Sequence, residues 1–390
     1  MKTLILNQHS SNFGDDAAGS ALVQILLEHG VSSIDIIYNA EKTIPCFNAK
    51  VHHHPEIKFS TAGYLNVLLY LLFAPLGFKG TSEQMQKWGH IIRNADTIFV
   101  APSGANIGIY KDWRFLVRLL MAVRAGKKLI FHYNTIGPSG NIVFDYIAKK
   151  ILKKSNIYVR EQKSLLYIQS LGLHGVWGPD TAFALQPLNS QIETDLISFV
   201  PSSFDNWHPN FKSSSIDDKI INELIPEIGK WVRDNNCRIQ ILPHLCTKEE
   251  TIYNARICAV LTKCGVSNVC CRNDVDSVWK YDEELAKSRL VIGMRYHAIV
   301  LSAKNYRPFV SLSYENKMNE VCSYLHQCRF DCNLVRYVKG ESLCISEVLS
   351  DAYIHSEEIS SNLKKTLKNE IIPKVQVPVI NHILKERDCI

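Results

Sequence analysis

Residues 290–304, LVIGMRYHAIVLSAK, contain the strongest structural signal in the chain. The apolar run at residues 290–292 is typical of a buried strand, and from Tyr296 onward the apolar residues recur at helical spacing. Arg295 and His297 therefore lie where a strand is predicted to end and a helix to begin.

In a parallel α/β sheet, such a junction lies at the carboxyl edge, where ligands bind. The N-terminus of the helix offers backbone N–H groups and a partial positive charge. With a guanidinium and a titratable imidazole added, it would bind a small anion beside a proton donor. Alternatively, Arg295 is a surface residue and His297 is held in the core. The presence of both residues at one junction favours a functional site.

Strand and helix patterns alternate along both halves of the chain. The first half opens with a strand at residues 3–7, a polar turn and an amphipathic helix. A polar segment from Gln186 to Glu193 indicates a linker, and a second series of strands and helices follows it. We therefore predict an α/β protein with two Rossmann-like domains at residues 1–188 and 189–345, followed by helices at 346–390.

Composition and charge describe an ordinary globular protein. The 390 residues are 46% hydrophobic and 21% charged, and the net charge of +6 is spread along the chain, which argues against nucleic-acid binding. The N-terminal apolar segment is too short for a signal peptide, so we expect a cytoplasmic protein with reduced cysteines. Its 12 cysteines are scattered without a C-x-x-C pair, and we expect no metal site.

The most hydrophobic stretch, Tyr64 to Phe78, reads YLNVLLYLLFAPLGF. It is too short to span a bilayer, and Pro75 would interrupt it. Two interpretations stay open, namely a helix buried in the core and a helix that lies in a membrane surface.

The three consecutive histidines of Val51–Pro55 are interpreted as a loop, because neighbours in an extended chain point to opposite sides and make a poor metal site.

The sequence around Arg295 resembles a known family. Residues 291–317, VIGMRYHAIVLSAKNYRPFVSLSYENK, are similar to the most characteristic segment of the polysaccharide pyruvyl transferase family. In that family the segment consists of an apolar strand, Arg-x-His-Ala, an apolar helix, a proline before the next strand, and Tyr-x-x-Lys. The matching residues here are Arg295, His297, Ala298, Pro308, Tyr314 and Lys317.

The resemblance implies a transferase that uses phosphoenolpyruvate as donor and needs no other cofactor. Arg160 lies in a segment that matches the family's Arg-Glu-x-x-Ser, and we expect it to meet Arg295 and Lys317 at one sheet edge. Three cations suit a ligand that carries a carboxylate and a phosphate. We expect His297 to be the catalytic acid or base, with Arg295 beside it, and we rank His244 below it in the donor site.

Two motifs in the first domain resemble family motifs and imply an acceptor side. Asn12-x-Gly14-Asp15 is similar to the family's Asn-x-Gly-Asp; Gly14 would let the backbone approach a ligand, and Asp15 would bind a sugar hydroxyl or cap the helix. The loop at residues 102–108 is similar to a glycine-rich motif, with Ser103 at the first glycine position. The expected acceptor-binding residues are Asn12, Gly14, Asp15, Ser103, Gly104 and Asn106.

The resemblance further implies a GT-B-like arrangement, in which two domains face a cleft, the C-terminal helix crosses back to the first domain, and the helices at 346–390 pack on that domain. The expected partners are phosphoenolpyruvate and a glycan acceptor in cell-surface or exopolysaccharide biosynthesis. A lipid-linked acceptor and a peripheral position at the inner membrane face stay open. Two alternative functions also stay open: a nucleotide-sugar glycosyltransferase of the same architecture, and a non-catalytic glycan-binding or scaffold protein.

Overall fold

Short apolar strands, buried on both faces, build a parallel sheet in the first half of the chain. The computed structural model describes residues 1–10, 12–56, 61–204, 208, 211 and 215–384, except the side chains of residues 61–64. The strand order in this sheet is β3-β2-β1-β4-β5-β6-β7, and the paired strands are parallel. The strands are β1 (Lys2–Gln8), β2 (Ser33–Tyr38), β3 (Val51–His54), β4 (Thr97–Val100), β5 (Leu129–Asn134), β6 (Ser155–Val159) and β7 (Val176–Trp177).

Helices alternate with these strands and bury their apolar faces against the sheet. Leu4 and Leu6 of the first strand share a core with Leu116 and Leu119, and all four side chains are fully buried. The helices are α1 (Phe13–Glu28), α2 (Thr61–Phe73), α3 (Glu83–Asn94), α4 (Trp113–Arg124), α5 (Ile142–Leu152) and α6 (Gln162–Ser170).

A second parallel sheet forms in the second half, in the order β10-β9-β8-β11-β12-β13. Its strands are β8 (Glu193–Val200), β9 (Arg238–Ile241), β10 (Val269–Cys271), β11 (Ser288–Gly293), β12 (Phe309–Ser313) and β13 (Asp331–Asn333). The helices of this half are α7 (Ile216–Lys219), α8 (Ile225–Asp234), α9 (Lys248–Lys263), α10 (Val278–Lys287), α11 (Tyr296–Lys304), α12 (Asn316–Tyr324), α13 (Leu334–Val338), α14 (Ile345–Ile354) and α15 (Ser356–Thr366).

The chain divides into two units, each built on one sheet. The first unit comprises Met1–Ser11, Asp15–Leu185 and Ile371–Ile390, and the second comprises Asn12–Gly14 and Gln186–Glu370. The division after Leu185 lies close to the boundary at residue 188 that the sequence indicated. The tripeptide Asn12–Gly14 belongs to the second unit, although its neighbours in sequence belong to the first.

The C-terminal helices do not all pack as expected. The family resemblance implies that residues 346–390 pack against the first domain, but residues up to Glu370 belong to the second unit, where α14 packs against α8 and β12. Residues from Ile371 onward belong to the first unit, including helix α16 (Ile372–Val379). There the Tyr133 hydroxyl donates a hydrogen bond to the carbonyl of Lys374 at 2.5 Å.

Two segments of the first unit differ from their predicted structures. Val51–His54 is the edge strand β3 and not a loop, because its histidines find partners: His53 lies 2.7 Å from the Tyr38 hydroxyl, and His54 lies 2.6 Å from Asp35. The apolar stretch around α2 is neither wholly buried nor wholly exposed. Only one face of that helix packs into the core.

Candidate functional site

The Arg-x-His segment lies at the carboxyl edge of the second sheet. Strand β11 ends at Gly293, and α11 begins at Tyr296, with Arg295 as its N-cap in extended backbone (φ −117°, ψ 136°). A Cβ atom added to Gly293 would lie 2.6 Å from Cδ1 of Ile299, so glycine lets the strand end pack against the helix. The second sheet reverses its strand order between β8 and β11. In an open α/β sheet, ligands bind at such a point.

His297 lies between a second histidine and a glycine. Its ring stacks on that of His244, with ring centroids 6.4 Å apart and an interplanar angle of 13°. A Cβ atom built on Gly14 would lie 1.9 Å from Nδ1 of His297, so the imidazole occupies the space that any larger residue at position 14 would need. The close approach of this ring therefore explains the glycine of the Asn-x-Gly-Asp motif.

His244 is a buried imidazole that stays neutral. It follows β9 and is 5% exposed, and burial, followed by the charges of Arg295, His297 and Lys317, lowers its pKa well below the usual value. Its carbonyl accepts a hydrogen bond from the N–H of Phe13 at 3.4 Å. Among the described residues, no hydrogen-bond partner reaches its Nδ1. A neutral ring in contact with His297 can fix the orientation of that side chain.

Glu250 is a buried carboxylate that none of the recognised sequence motifs indicates. Its Oε2 accepts hydrogen bonds from the N–H groups of His244, Leu245 and Cys246 at 3.1, 2.7 and 2.9 Å. Its Oε1 lies 3.9 Å from Nη2 of Arg295, which is an ion pair too long for a direct hydrogen bond. The sequence contains a signal for it, because Thr247-x-x-Glu250 matches the capping-box pattern at the start of α9. The N–H of Glu250 donates to the hydroxyl of Thr247, but the Glu250 carboxylate accepts from the three residues before Thr247 instead of from Thr247 itself.

Lys317 forms an ion pair at 2.5 Å with Glu315, a second carboxylate that the sequence motifs did not indicate. Nε2 of His208 lies 3.1 Å from the other oxygen of Glu315. Burial alone would raise the pKa of Glu315, but the hydrogen bond with His208 and the charge of Lys317 outweigh it and lower that pKa to about 2. The second sheet edge therefore carries paired charges rather than a cluster of cations alone.

Arg160 does not lie at this edge. It follows β6 of the first sheet, so the expectation that it shares one sheet edge with Arg295 and Lys317 is wrong. Its Nη1 donates to Oδ2 of Asp180 at 2.6 Å, and both side chains are buried. The other oxygen of Asp180 accepts a hydrogen bond from the N–H of Ala182 at 2.9 Å. The pair joins the loops that follow β6 and β7, and donor binding by Arg160 remains a prediction.

Two of the acceptor-side candidates shape the loop after β4. Ser103 is 1% exposed, and its hydroxyl accepts a hydrogen bond from Nδ2 of Asn134 at 3.0 Å. A Cβ atom on Gly104 would lie 3.2 Å from the ring of Tyr110. The hydrogen bond of Ser103 therefore anchors the loop to Asn134 of β5, and the lack of a side chain at Gly104 leaves room for the ring of Tyr110.

A cavity of about 580 Å³ lies at the carboxyl edge of the first sheet and includes Asn106 in its wall. The first sheet reverses its order between β1 and β4, and His9 and Asn106 follow these two strands. Asn39 donates to Asp112 at 2.9 Å, which fixes two polar groups of the wall. The lining residues are His9, Asn39, Glu56, Asn106, Tyr110, Lys111, Asp112, Trp113 and Arg114.

Asn12 and Gly14 belong to the second unit, whereas Asp15, the last residue of the motif, is the first residue of α1 that belongs to the first unit. The next residue, Asp16, has the more perturbed side chain. Burial, opposed by the hydrogen bond from Ser10, raises the pKa of Asp16 to about 6. Perturbed carboxyl groups of this kind are common at functional sites. The second carboxylate in the first turn of α1 was visible in the sequence but was not singled out.

We expect Asp16→Asn to stabilise the protein near neutral pH. Because the folded pKa is raised, Asp16 contributes stability below pH 4 that is lost as the pH rises to about 6. Replacing it with the neutral amide should raise the unfolding free energy at pH 7.5 by about 1–2 kcal/mol, allowing for partial exposure, and leave it nearly unchanged at pH 4. Thermal unfolding at the two pH values checks this, with Glu357→Gln, on an exposed side chain of α15, as the control. An equal effect at both pH values would contradict it.

No metal-binding cluster of three or more His, Cys, Asp or Glu side chains occurs in the part of the chain that the structure describes. The prediction of a metal-free protein remains a prediction. Within the same residues, no helix has both the length and the apolar character needed to cross a membrane.

Solved structures share this fold at low sequence identity. A Listeria monocytogenes protein described as a UDP-N-acetylglucosamine 2-epimerase matches with a TM-score of 0.61 and 10% identity over 100% of this chain and 97% of its own. A glycosyltransferase from Rickettsia africae matches with a TM-score of 0.56 and 10% identity over 97% of each chain. The trehalose-6-phosphate synthase OtsA matches with a TM-score of 0.55 and 8% identity over 98% of each. The chain therefore has a GT-B fold of two Rossmann-like domains.

The family follows from the sequence rather than from the fold. The sequence pattern of the family described as polysaccharide pyruvyl transferase matches residues 12–316. The chain belongs to this family, which confirms the resemblance seen in the motifs. No curated protein matches the chain. Family membership makes the protein a transferase with a donor substrate and a glycan acceptor.

Proposed function

We propose that the protein transfers the enolpyruvyl group of phosphoenolpyruvate to two hydroxyls of a glycan sugar, forming a pyruvate ketal and releasing phosphate in cell-surface or exopolysaccharide biosynthesis. The observation that carries this proposal is the stacked pair of His244 and His297 beside Arg295, at the start of α11 and at the point where the second sheet reverses its order. This arrangement combines anion binding with proton transfer.

The donor binds at the N-terminus of α11. The guanidinium of Arg295 lies 3.9 Å from the carboxylate of Glu250 and would bind the carboxylate or the phosphate of the donor. Lys317, 5.7 Å from the centre of the Tyr296 ring, supplies a second cation. When the donor binds, the ammonium group of Lys317 contacts the donor's phosphate in addition to the carboxylate of Glu315. The N–H groups of the first turn of α11 add to this anion site.

His297 transfers the proton that starts the reaction. Protonation of the methylene carbon of the enol makes the central carbon electrophilic, and a sugar hydroxyl forms a bond to it. The bond from that carbon to the phosphate oxygen then breaks, and a neighbouring hydroxyl forms the second bond to the same carbon and closes the ketal. Of the two O–H protons released, one replaces the proton that His297 gave to the methylene carbon, and the other leaves with the phosphate. Arg295 and Lys317 offset the negative charge on the departing phosphate. His244, neutral and stacked on His297, positions this ring without exchanging the proton itself.

The acceptor sugar binds in the cavity of the first unit. Its wall offers the amides of Asn39 and Asn106 and the carboxylate of Asp112, which can bind sugar hydroxyls. Tyr110 and Trp113, which are 55% and 42% exposed, offer aromatic faces for the apolar side of a sugar ring. Ser103 and Gly104 support the loop that carries these side chains.

Phosphate release from phosphoenolpyruvate in the presence of galactose-, mannose- and glucosamine-containing oligosaccharides tests the reaction. We expect release that depends on both substrates, and a ketal methyl group that carries deuterium when the reaction is run in D₂O. His297→Gln should lower the rate at least about a hundredfold, because an acid or base contributes roughly 10²–10⁴. His174→Gln, on an exposed side chain, is the control. Turnover that needs a nucleotide sugar and consumes no phosphoenolpyruvate would contradict the proposal.

A further inference from the structure

The outer face of α2 and the turn that follows it is apolar and exposed. Val67, Tyr70 and Ala74 point inward and are buried in the core of the first unit. The opposite face presents large apolar side chains at helical spacing over more than two turns. These are Leu65 (60% exposed), Leu68 (52%), Leu72 (55%), Phe73 (45%) and Leu76 (83%). Contiguous apolar faces of this kind mark interaction surfaces rather than ordinary solvent-exposed surface.

The backbone at the end of this helix is satisfied by the protein itself. The last carbonyls of a helix have no partner within it and are usually hydrated. Here Nε and Nη2 of Arg124 donate to the carbonyls of Leu71 and Leu72 at 2.7 and 3.4 Å. Nη2 of Arg93 donates to the carbonyl of Ala74 at 2.5 Å. These three carbonyls therefore keep a hydrogen-bond donor when water is removed, which a backbone needs in order to enter an apolar phase.

The charged residues within α2 and the turn that follows it have one sign. No Asp or Glu occurs in the sequence between Glu56 and Glu83. Arg124 is exposed at the helix end while it donates to the carbonyls, and Lys79 is exposed just beyond the turn. A surface that combines an apolar stripe with cations at its border matches a bilayer surface with anionic headgroups.

We propose that the outer face of α2 docks the protein on a membrane surface that contains anionic lipid. The helix is about 20 Å long and would lie in the plane of the interface rather than cross it. Leu65, Leu68, Leu72 and Leu76 would enter the boundary between headgroups and acyl chains, with Lys79 and Arg124 at the level of the phosphates. This inference goes beyond the proposed function, since it holds whichever donor the second unit binds.

Flotation with vesicles tests the proposal. The full chain is mixed with vesicles of phosphatidylcholine and phosphatidylglycerol, and with vesicles of phosphatidylcholine alone. We expect the protein to float with the anionic vesicles, and to float less at high salt because screening weakens the attraction to the headgroups. Leu68→Gln/Leu72→Gln should reduce vesicle binding at least about tenfold, because two half-exposed leucines no longer enter the apolar region.

A matched control separates docking from general surface hydrophobicity. Leu166→Gln replaces a leucine that is 64% exposed on α6, and it should float like the unchanged protein. All variants should unfold at the same temperature, because the replaced side chains lie on the surface. Protein that stays in the soluble fraction with anionic vesicles would overturn the proposal, as would a double variant that binds normally. A dimer that Leu68→Gln/Leu72→Gln converts to a monomer, without flotation of either, would assign the face to a second copy of the chain and overturn membrane docking.

Discussion

Gly14→Ala is expected to lower the turnover of phosphoenolpyruvate at least about a hundredfold while leaving most of the folding stability intact. The added methyl group would lie 1.9 Å from Nδ1 of His297, far inside the contact distance of the two atoms. The His297 ring must then move, and displacement of a catalytic group by about 1 Å can cost about 10² in rate. The stacked ring of His244 limits the directions in which it can move.

Steady-state rates of phosphate release for the two proteins measure this effect. Gly137→Ala is the matched control, because a Cβ atom there would meet no other atom within 4 Å. The control should retain its rate and its unfolding temperature. If Gly14→Ala proved as active as the unchanged protein, then either His297 has another position in solution or its ring does not take part in the reaction.

Arg160→Met is expected to destabilise the first unit by about 3–5 kcal/mol. Removal of the guanidinium leaves the carboxylate of Asp180, which is 0% exposed, buried without its ion-pair partner. Arg160→Met/Asp180→Asn should recover part of the loss, because the amide oxygen of asparagine can still accept the hydrogen bond from Ala182. Urea unfolding measures all three proteins.

Arg256→Met provides a control for the loss of an arginine ion pair. Its partner Asp218 lies 3.5 Å away, and both side chains are more than half exposed, so the change should cost less than about 1 kcal/mol. An Arg160→Met protein of normal stability that no longer responds to phosphoenolpyruvate would contradict the structural role. It would return Arg160 to the donor site, as the sequence had suggested.

The junction of β11 and α11 was predictable because its apolar spacing changes within a few residues from that of a strand to that of a helix. The partners of Arg295 and Lys317 were not predictable in the same way. Glu250 is distant in sequence from Arg295 and resembles an ordinary helix-capping residue. Glu315 occupies a variable position of the Tyr-x-x-Lys motif, so the motif gives no reason to single it out. Sequence spacing indicates which residues share a helix or strand. It does not indicate which carboxylate will form an ion pair with a given arginine or lysine.

The differences in the fold have equally specific causes. Val51–His54 lacks the alternation of an ordinary strand, yet two hydrogen bonds of its histidines support it at the sheet edge: His53 pairs with the Tyr38 hydroxyl, and Nε2 of His54 donates to the Asp35 carboxylate. In α2, nearly every residue is apolar, so periodicity could not distinguish a buried face from an exposed one. The helices from residue 346 onward have similar amphipathic patterns. Only tertiary packing shows that the change of unit comes at Ile371.

Thermal unfolding with phosphoenolpyruvate tests most directly whether the Arg-x-His site binds this donor. At about a hundred times its dissociation constant, the ligand should stabilise the protein by roughly 2.7 kcal/mol. We expect this stabilisation in the unchanged protein and in Arg256→Ala, and its loss in Arg295→Ala. UDP, GDP and CMP should have no effect on any of them. Stabilisation by a nucleotide but not by phosphoenolpyruvate, or an Arg295→Ala protein that responds fully to phosphoenolpyruvate, would contradict the account.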